Sequence, residues 1–190
     1  MAFGLELIFL TIIVLAVLGI AAYIVSIYNG LVRLKNDIKK AWANIDVLLK
    51  QRSDELPKLI ESVKGYMKHE REVLTSLTKA RTEFLKAKSM SEKAAADGMI
   101  SQALKSIFAV AENYPQLKAS ENFIQLQNRI SGLENELADR REFYNDSANE
   151  FNIRIESFPD TIIAGMMGLR QPAEMFKVAE EEKKDVEVKF

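Results

Sequence analysis

The chain has 190 residues, no cysteine, and 26 Lys plus Arg set against 27 Asp plus Glu. The missing thiols exclude a disulfide framework and a thiolate metal site, and the near balance of charge argues against a nucleic-acid surface. Only 8 Gly and 4 Pro occur, which favours long uninterrupted helices.

The first element is residues 7–28, LIFLTIIVLAVLGIAAYIVSIY, without one charged side chain. A helix needs about 20 such residues to cross a hydrocarbon core of about 30 Å, and a helix apolar on every face must be buried all round. A cleavable signal peptide would carry Lys or Arg ahead of a shorter apolar core. Residues 1–6, MAFGLE, carry neither, so a retained single-pass transmembrane helix is expected. Arg33, Lys35, Lys39, Lys40 and Lys50 follow the run, and only the α-amino group precedes it. That asymmetry predicts an outside N-terminus and a cytoplasmic body at the inner (cytoplasmic) membrane, with Tyr23 and Tyr28 in the interfacial belt.

Beyond the run, Leu31, Leu34, Ile38, Trp42, Ile45 and Leu49 recur at steps of three and four, and Ile60, Val63 and Met67 resume them; this is one face of an α-helix. Pro57 should kink that helix, and Gly65 should stop it after roughly 50 Å. A second helix follows from Val73, Leu74, Leu77, Ala80 and Phe84. Residues 89–98, SMSEKAAADG, read as a polar turn region. Residues 100–113 read as a helix with Leu104, Ile107, Phe108 and Ala111 inward, ended by Tyr114-Pro115 because a residue before Pro is pushed out of the α region.

Ser120 is expected to cap the next helix. Phe123, Leu126, Ile130, Leu133, Leu137, Arg141, Tyr144, Ala148, Phe151, Ile155 and Phe158 then follow a near-heptad, coiled-coil rhythm that only Arg141 interrupts. Pro159 closes it. The expected fold is all-α: one transmembrane helix continuing into a long antiparallel bundle of two long helices and a shorter helical hairpin, the body spanning 29–159. The shorter helices flank only the distal halves of the long pair. The proximal halves would then form a two-helix stem with uncovered apolar side chains, so self-association is expected through Leu34, Ile38, Trp42, Tyr144, Phe151 and Ile155.

Residues 160–179 bring the chain back to the membrane. Ile162, Ile163, Met166, Met167 and Leu169 are expected either to pack on the stem or to form a membrane-interface or partner-binding segment, since Met-rich surfaces adapt to varied partners. Residues 180–190 are a charged tail ending in Phe190. That end suits addition to a sheet edge in a PDZ-like groove, set against the ordinary fraying of a terminus.

Catalytic and cofactor-binding constellations are not found. His69 is the single histidine, and HEREV carries Val73 where the zinc motif HExxH needs its second histidine. The phosphate-binding and dinucleotide-binding glycine motifs and G-x-S-x-G are absent. Charged positions in the helices, including Asp46, Arg52, Glu112 and Glu134, read as a solvated face. Arg140, Arg141, Asn145, Asn149 and Asn152, with Tyr28, Asn29 and Asn36 on the facing stretch, read as interhelical hydrogen-bonding groups that fix register.

Taken together, Tyr28-Asn29, Ala41-Trp42, Ile45-Asp46-Val47, Leu56-Pro57, Val63-Lys64-Gly65-Tyr66 and His69-Glu70 resemble the opening signature of the LemA family. AENYPQLKASENFIQLQNRI is similar to that family's E-x-Y-P-x-L-K-A-x-x-x-F-x-x-L-Q, and RREFYNDSANEFNIRIESFP resembles its closing helix, with Phe151 where the family often carries Tyr. The resemblance covers essentially the whole chain. It implies a bacterial or archaeal single-pass membrane protein with a cytoplasmic helical bundle, no generally assigned enzyme activity, and relatives linked to building or remodelling internal membranes. The leading expectation is therefore a non-enzymatic membrane scaffold whose partners are membrane lipid and further copies of itself. The alternative is an adaptor recruiting a membrane protease or quality-control partner, and an enzyme ranks third.

Overall fold

The structure is a computed structural model that describes residues 2–67 and 70–176, with side chains from residue 4 onward. His69, the last residues of the return segment and the tail at 180–190 lie outside the described residues, as do the expectations placed on them. Among the described residues there are six helices and no strand: α1 (Ala2–Lys64), α2 (Arg71–Lys86), α3 (Met90–Ala111), α4 (Pro115–Lys118), α5 (Glu121–Glu156) and α6 (Asp160–Met166). The chain is all-α, with an apolar N-terminal helix continuing into an antiparallel helical bundle.

Helix α1 is uninterrupted over 63 residues. Pro57, expected to kink it, lies on the exposed side and does not end it. The helix stops one residue before Gly65, where the N–H groups of Tyr66 and Met67 both donate to the Val63 carbonyl at 3.0 and 2.9 Å. One expected turn is corrected. Residues 90–98 are the first turns of α3, because Ser89 and Glu92 form a capping box. The Ser89 hydroxyl accepts the Glu92 N–H at 3.1 Å and the Glu92 carboxylate accepts the Ser89 N–H at 3.0 Å, satisfying helix-end donors from both sides. Tyr114 ends α3's run as expected, and Pro115 then opens the short α4 at the position where its missing N–H costs nothing. Ser120 stands at the N-cap position of α5, its carbonyl accepting the Ile124 N–H at 3.1 Å.

Among the described residues, contacts divide the chain into two compact units, residues 2–42 with 143–175, and residues 43–142 with Phe176. In the second unit, Arg52 of α1 meets Glu134 of α5 and Glu55 meets Arg129, so these two helices run antiparallel. Asp46 and Arg52 meet Lys93 and Asp97 of α3 in ascending order, so α3 runs parallel to α1. Helices α2 and α3 form the hairpin. The core holds Ile45, Leu49, Leu56 and Leu59 from α1, Leu77 and Phe84 from α2, Ile100, Leu104 and Ile107 from α3, and Phe123, Ile130 and Leu137 from α5. Phe108 and Phe123 meet edge to face at 6.2 Å between centroids, a favoured aromatic geometry.

The first unit pairs the beginning of α1 with the end of α5. Trp42 packs edge-on against Tyr144 at 6.5 Å, and the Arg154 guanidinium lies against Gly30, so these segments are also antiparallel. Their core is Ile27, Leu31, Phe151, Ile155 and Ala164, with Leu34, Ile38, Ile163, Met167 and Leu169 partly buried around it.

Candidate functional site

Every described residue from 4 to 26 is exposed, so the apolar run stays uncovered until Ile27 near its end. A fully apolar helix left uncovered has no stable place in water, and the segment is long enough to cross a bilayer. It is a candidate membrane span. Where it ends, Ile27 and Leu31 begin the core of the first unit. At Gly30 a side chain would place its first carbon 2.5 Å from Arg154 Nη1, so glycine is what allows that guanidinium to lie on the helix. Arg154 in turn grips Asp160, Nε donating at 2.6 Å, which fixes the turn into α6.

Helix α6 ends in a Schellman motif. Gly168 takes φ +72°, the Leu169 N–H donates to Ala164 O at 2.9 Å, and the Gly168 N–H to Gly165 O at 3.2 Å. Glycine adopts that left-handed conformation without a Cβ penalty. The reversal sends residues 169–175 back along α5 as an extended strap. Asn152 clamps the strap at Ala173 through both amide atoms, donating to its carbonyl at 3.0 Å and accepting its N–H at 2.7 Å. The Tyr144 hydroxyl donates to Glu174 O at 2.9 Å. Burial of the phenol, and secondarily the Glu174 charge, raises the Tyr144 pKa above its ordinary value.

The strap changes what covers the stem. Of the residues expected at an interface between copies, Tyr144, Phe151 and Ile155 are buried within the chain, and Leu34, Ile38 and Trp42 are partly buried. Part of that cover comes from the return segment itself, through Ala164, Ile163, Met167 and Leu169. Of the membrane-interface or partner set, Ile163, Met167 and Leu169 thus face the protein, while Ile162 is exposed and Met166 is 81% exposed. Phe158, expected inward at the end of the heptad series, is instead 82% exposed, because α5 ends two residues earlier.

In the second unit a charged network replaces the solvated face expected of Arg52 and its neighbours. Arg52 is 1% exposed. Its Nη1 donates to Asp97 Oδ1 at 2.8 Å and to Ser101 Oγ at 3.0 Å, and its Nη2 to Glu134 Oε1 at 2.5 Å. Asp97, 2% exposed, also accepts from Arg141, whose guanidinium stacks on Phe176 at 5.5 Å, within cation–π range. Asp46 pairs with Lys93. Glu112 alone of the four named charges is exposed without such cover. Three helices are thereby joined through two guanidiniums and two carboxylates. The Nε atoms of Arg52 and Arg141 and the Ser53 hydroxyl are buried without a hydrogen-bond partner, so the network is tightly enclosed.

The polar residues read as register-fixing groups separate accordingly. Arg141 and Asn152 make long-range hydrogen bonds. Arg140 pairs along its own helix with Glu136, and Tyr28, Asn29, Asn36 and Asn149 are exposed. The signal that would have revealed Arg52 is its place at the centre of a seven-residue step, Ile45, Arg52, Leu59, on the buried face of α1.

Similarity to known proteins bears on this arrangement. Residues 41–190 match the model of the LemA family. The chain is similar to Protein LemA of Metamycoplasma hominis, 31% identical over 97% of this chain and 84% of the relative. It is similar as well to Magnetosome protein MamQ 2 of Paramagnetospirillum magneticum, 25% identical over 86% of this chain and 71% of the relative, and to Magnetosome protein MamQ of Magnetospirillum gryphiswaldense, 21% identical over 83% and 68%.

Proposed function

The chain belongs to the LemA family, and we propose that this member is a non-enzymatic, membrane-anchored structural protein whose helical body joins further copies and organises or remodels the membrane. The observation that carries the reading is the apolar span, exposed from residue 4 to residue 26, in one uninterrupted helix with residues of the folded body. The basic residues just past the span support an outside N-terminus and a body on the cytoplasmic side of the inner membrane. The relatives named as magnetosome proteins support a role tied to a cellular structure.

Self-association draws support from Phe143 and Ile153, large apolar side chains that stay exposed on α5. The test is the mass of the full-length chain in mild detergent by light scattering, beside F143S/I153S. A discrete multimer that the double substitution lowers is expected. A monomer would refute the scaffold and favour an adaptor recruiting a membrane protease or quality-control partner, which would draw on the exposed Ile162 and Met166. Orientation is tested by protease digestion of sealed inside-out vesicles, in which a body that stays protected would overturn the assignment.

A further inference from the structure

Between α1 and the α6 turn of the first unit lies an open groove of about 780 Å³. Along α1 its lining runs from Ile24 and Val25 through Tyr28 to Lys35 and Lys39, with Met166 and Leu169 among the residues facing them. The charged residues thus stand at one end of the α1 side. The other end belongs to the last turns of the membrane span. Lys35 and Lys39 stand about 10 and 16 Å along the helix beyond Tyr28, at 1.5 Å per residue, while the polar zone of a bilayer extends only about 5–8 Å beyond the hydrocarbon. The side chains close the gap for Lys35 and narrow it for Lys39. In a helix each Cα–Cβ bond tilts toward the N-terminus, so Lys35 and Lys39 lean toward the bilayer, and a long lysine chain reaches several ångströms further.

The charge at this end has one sign. No acidic residue lines the groove, and neither lysine has an ion-pair partner among the described residues. The two stand four residues apart on one helix face. Arg33 and Lys40 do not line the groove, although they are equally close to the span in sequence.

We infer that this groove seats one anionic phospholipid of the adjoining leaflet, its phosphate held by Lys35 with Lys39 above it and its acyl chain passing Tyr28 to run along Ile24 and Val25. The inference rests on the reading of residues 7–28 as a membrane span. The volume falls within the range that holds small ligands, roughly 300–1,000 Å³, which is room for a headgroup and the upper part of a chain. An anionic lipid satisfies both ends together: its tail stays in hydrocarbon beside the span, and its phosphate meets two unpaired cations. A zwitterionic lipid offers the same tail without the net charge.

The test uses the full chain in phosphatidylcholine vesicles carrying a trace of spin-labelled phosphatidylglycerol or spin-labelled phosphatidylcholine. Electron paramagnetic resonance reads the fraction of each label held immobile by the protein, and extraction at alkaline pH records whether the chain is integral. The unmodified chain should hold phosphatidylglycerol in preference. K35Q/K39Q should reduce that preference about thirtyfold, two lysines each contributing on the order of 1 kcal/mol near a charged surface. R33Q/K40Q, which removes the same charge from the other side of the helix, should leave it intact. An integral chain without preference overturns the inference and leaves the anchor standing. Equal losses in both pairs overturn it in favour of diffuse surface charge. A change of oligomeric mass in K35Q/K39Q with lipid preference unchanged assigns the groove to a second copy and overturns it too. Release of the chain by alkali would overturn both the groove assignment and the membrane span.

Discussion

Replacing Arg52 by Met keeps an unbranched apolar stem but removes the cation at the centre of the second unit. Asp97 then keeps Arg141 alone, and at 2% exposure it cannot turn to water. Glu134, 40% exposed at its side chain, can rehydrate, so the cost concentrates on Asp97 and on the Ser101 hydroxyl that loses its donor. Removing one partner of a buried ion pair costs about 3–5 kcal/mol, roughly a fifth or more of the 5–15 kcal/mol that holds a domain together. In urea, where the slope is about 1–3 kcal/mol per molar, the midpoint should fall by about 2 M. The measurement is urea unfolding of the full chain in detergent micelles, followed by far-UV circular dichroism. Arg140→Met is the control, since its pair with Glu136 is half exposed on both sides and 3.5 Å long, and should cost under about 0.5 kcal/mol. Asp97→Asn in the Arg52→Met background should recover part of the loss by discharging the stranded carboxylate. If Arg52→Met costs no more than Arg140→Met, the network does not bind the three helices and the reasoning fails.

Ser89→Ala removes the acceptor of the Glu92 N–H and should destabilise α3 by about 1 kcal/mol in the same assay. Hydrogen bonds from the backbone N–H groups of Ser89 and Lys88 hold the Glu92 carboxyl below the ordinary carboxylate range. A lowered folded pKa means stability that is present above the unfolded value and lost as pH falls through the folded one, so Glu92→Gln, which removes the titrating group, should flatten part of the acid dependence. Asn152→Ala deletes both bonds to Ala173; at about 1 kcal/mol each, tryptic cleavage after Arg170 should accelerate about tenfold or more, and an unchanged rate would mean that other contacts hold the strap. Tyr144→Phe removes the bond to Glu174. Because the Tyr144 pKa is raised on folding, its contribution is present at neutral pH and lost as pH rises through the folded value, so the variant should be weaker at neutral pH and less sensitive to alkali.

The long helices were legible because steps of three and four run through Leu31–Ile38–Ile45 and through Phe123–Ile130–Leu137–Tyr144, and packing followed that period. The capping box at Ser89 was spelled in plain residues, yet a cluster of Ser, Asp and Gly outweighed it in reading the segment as a turn. That error hid Asp97, since a residue placed in a surface turn offers no partner to a buried arginine. Arg52 was hidden for a related reason: charge pointed to solvent, while its position between Leu49 and Leu56 pointed to the core. Period decided. The strap was beyond reach from pattern alone, because it depends on one left-handed glycine and on an asparagine contacting backbone 21 residues away.

The reversal at Gly168 also sets a height. Glu174 meets Tyr144, and Tyr144 meets Trp42. Trp42 stands 14 residues past Tyr28, about 20 Å along the helix axis from the end of the apolar run. The polypeptide that dipped to the span at α6 is therefore lifted again before it reaches residue 175. Residue 175 is thereby held about 20 Å along that axis from the end of the apolar run, rather than beside it.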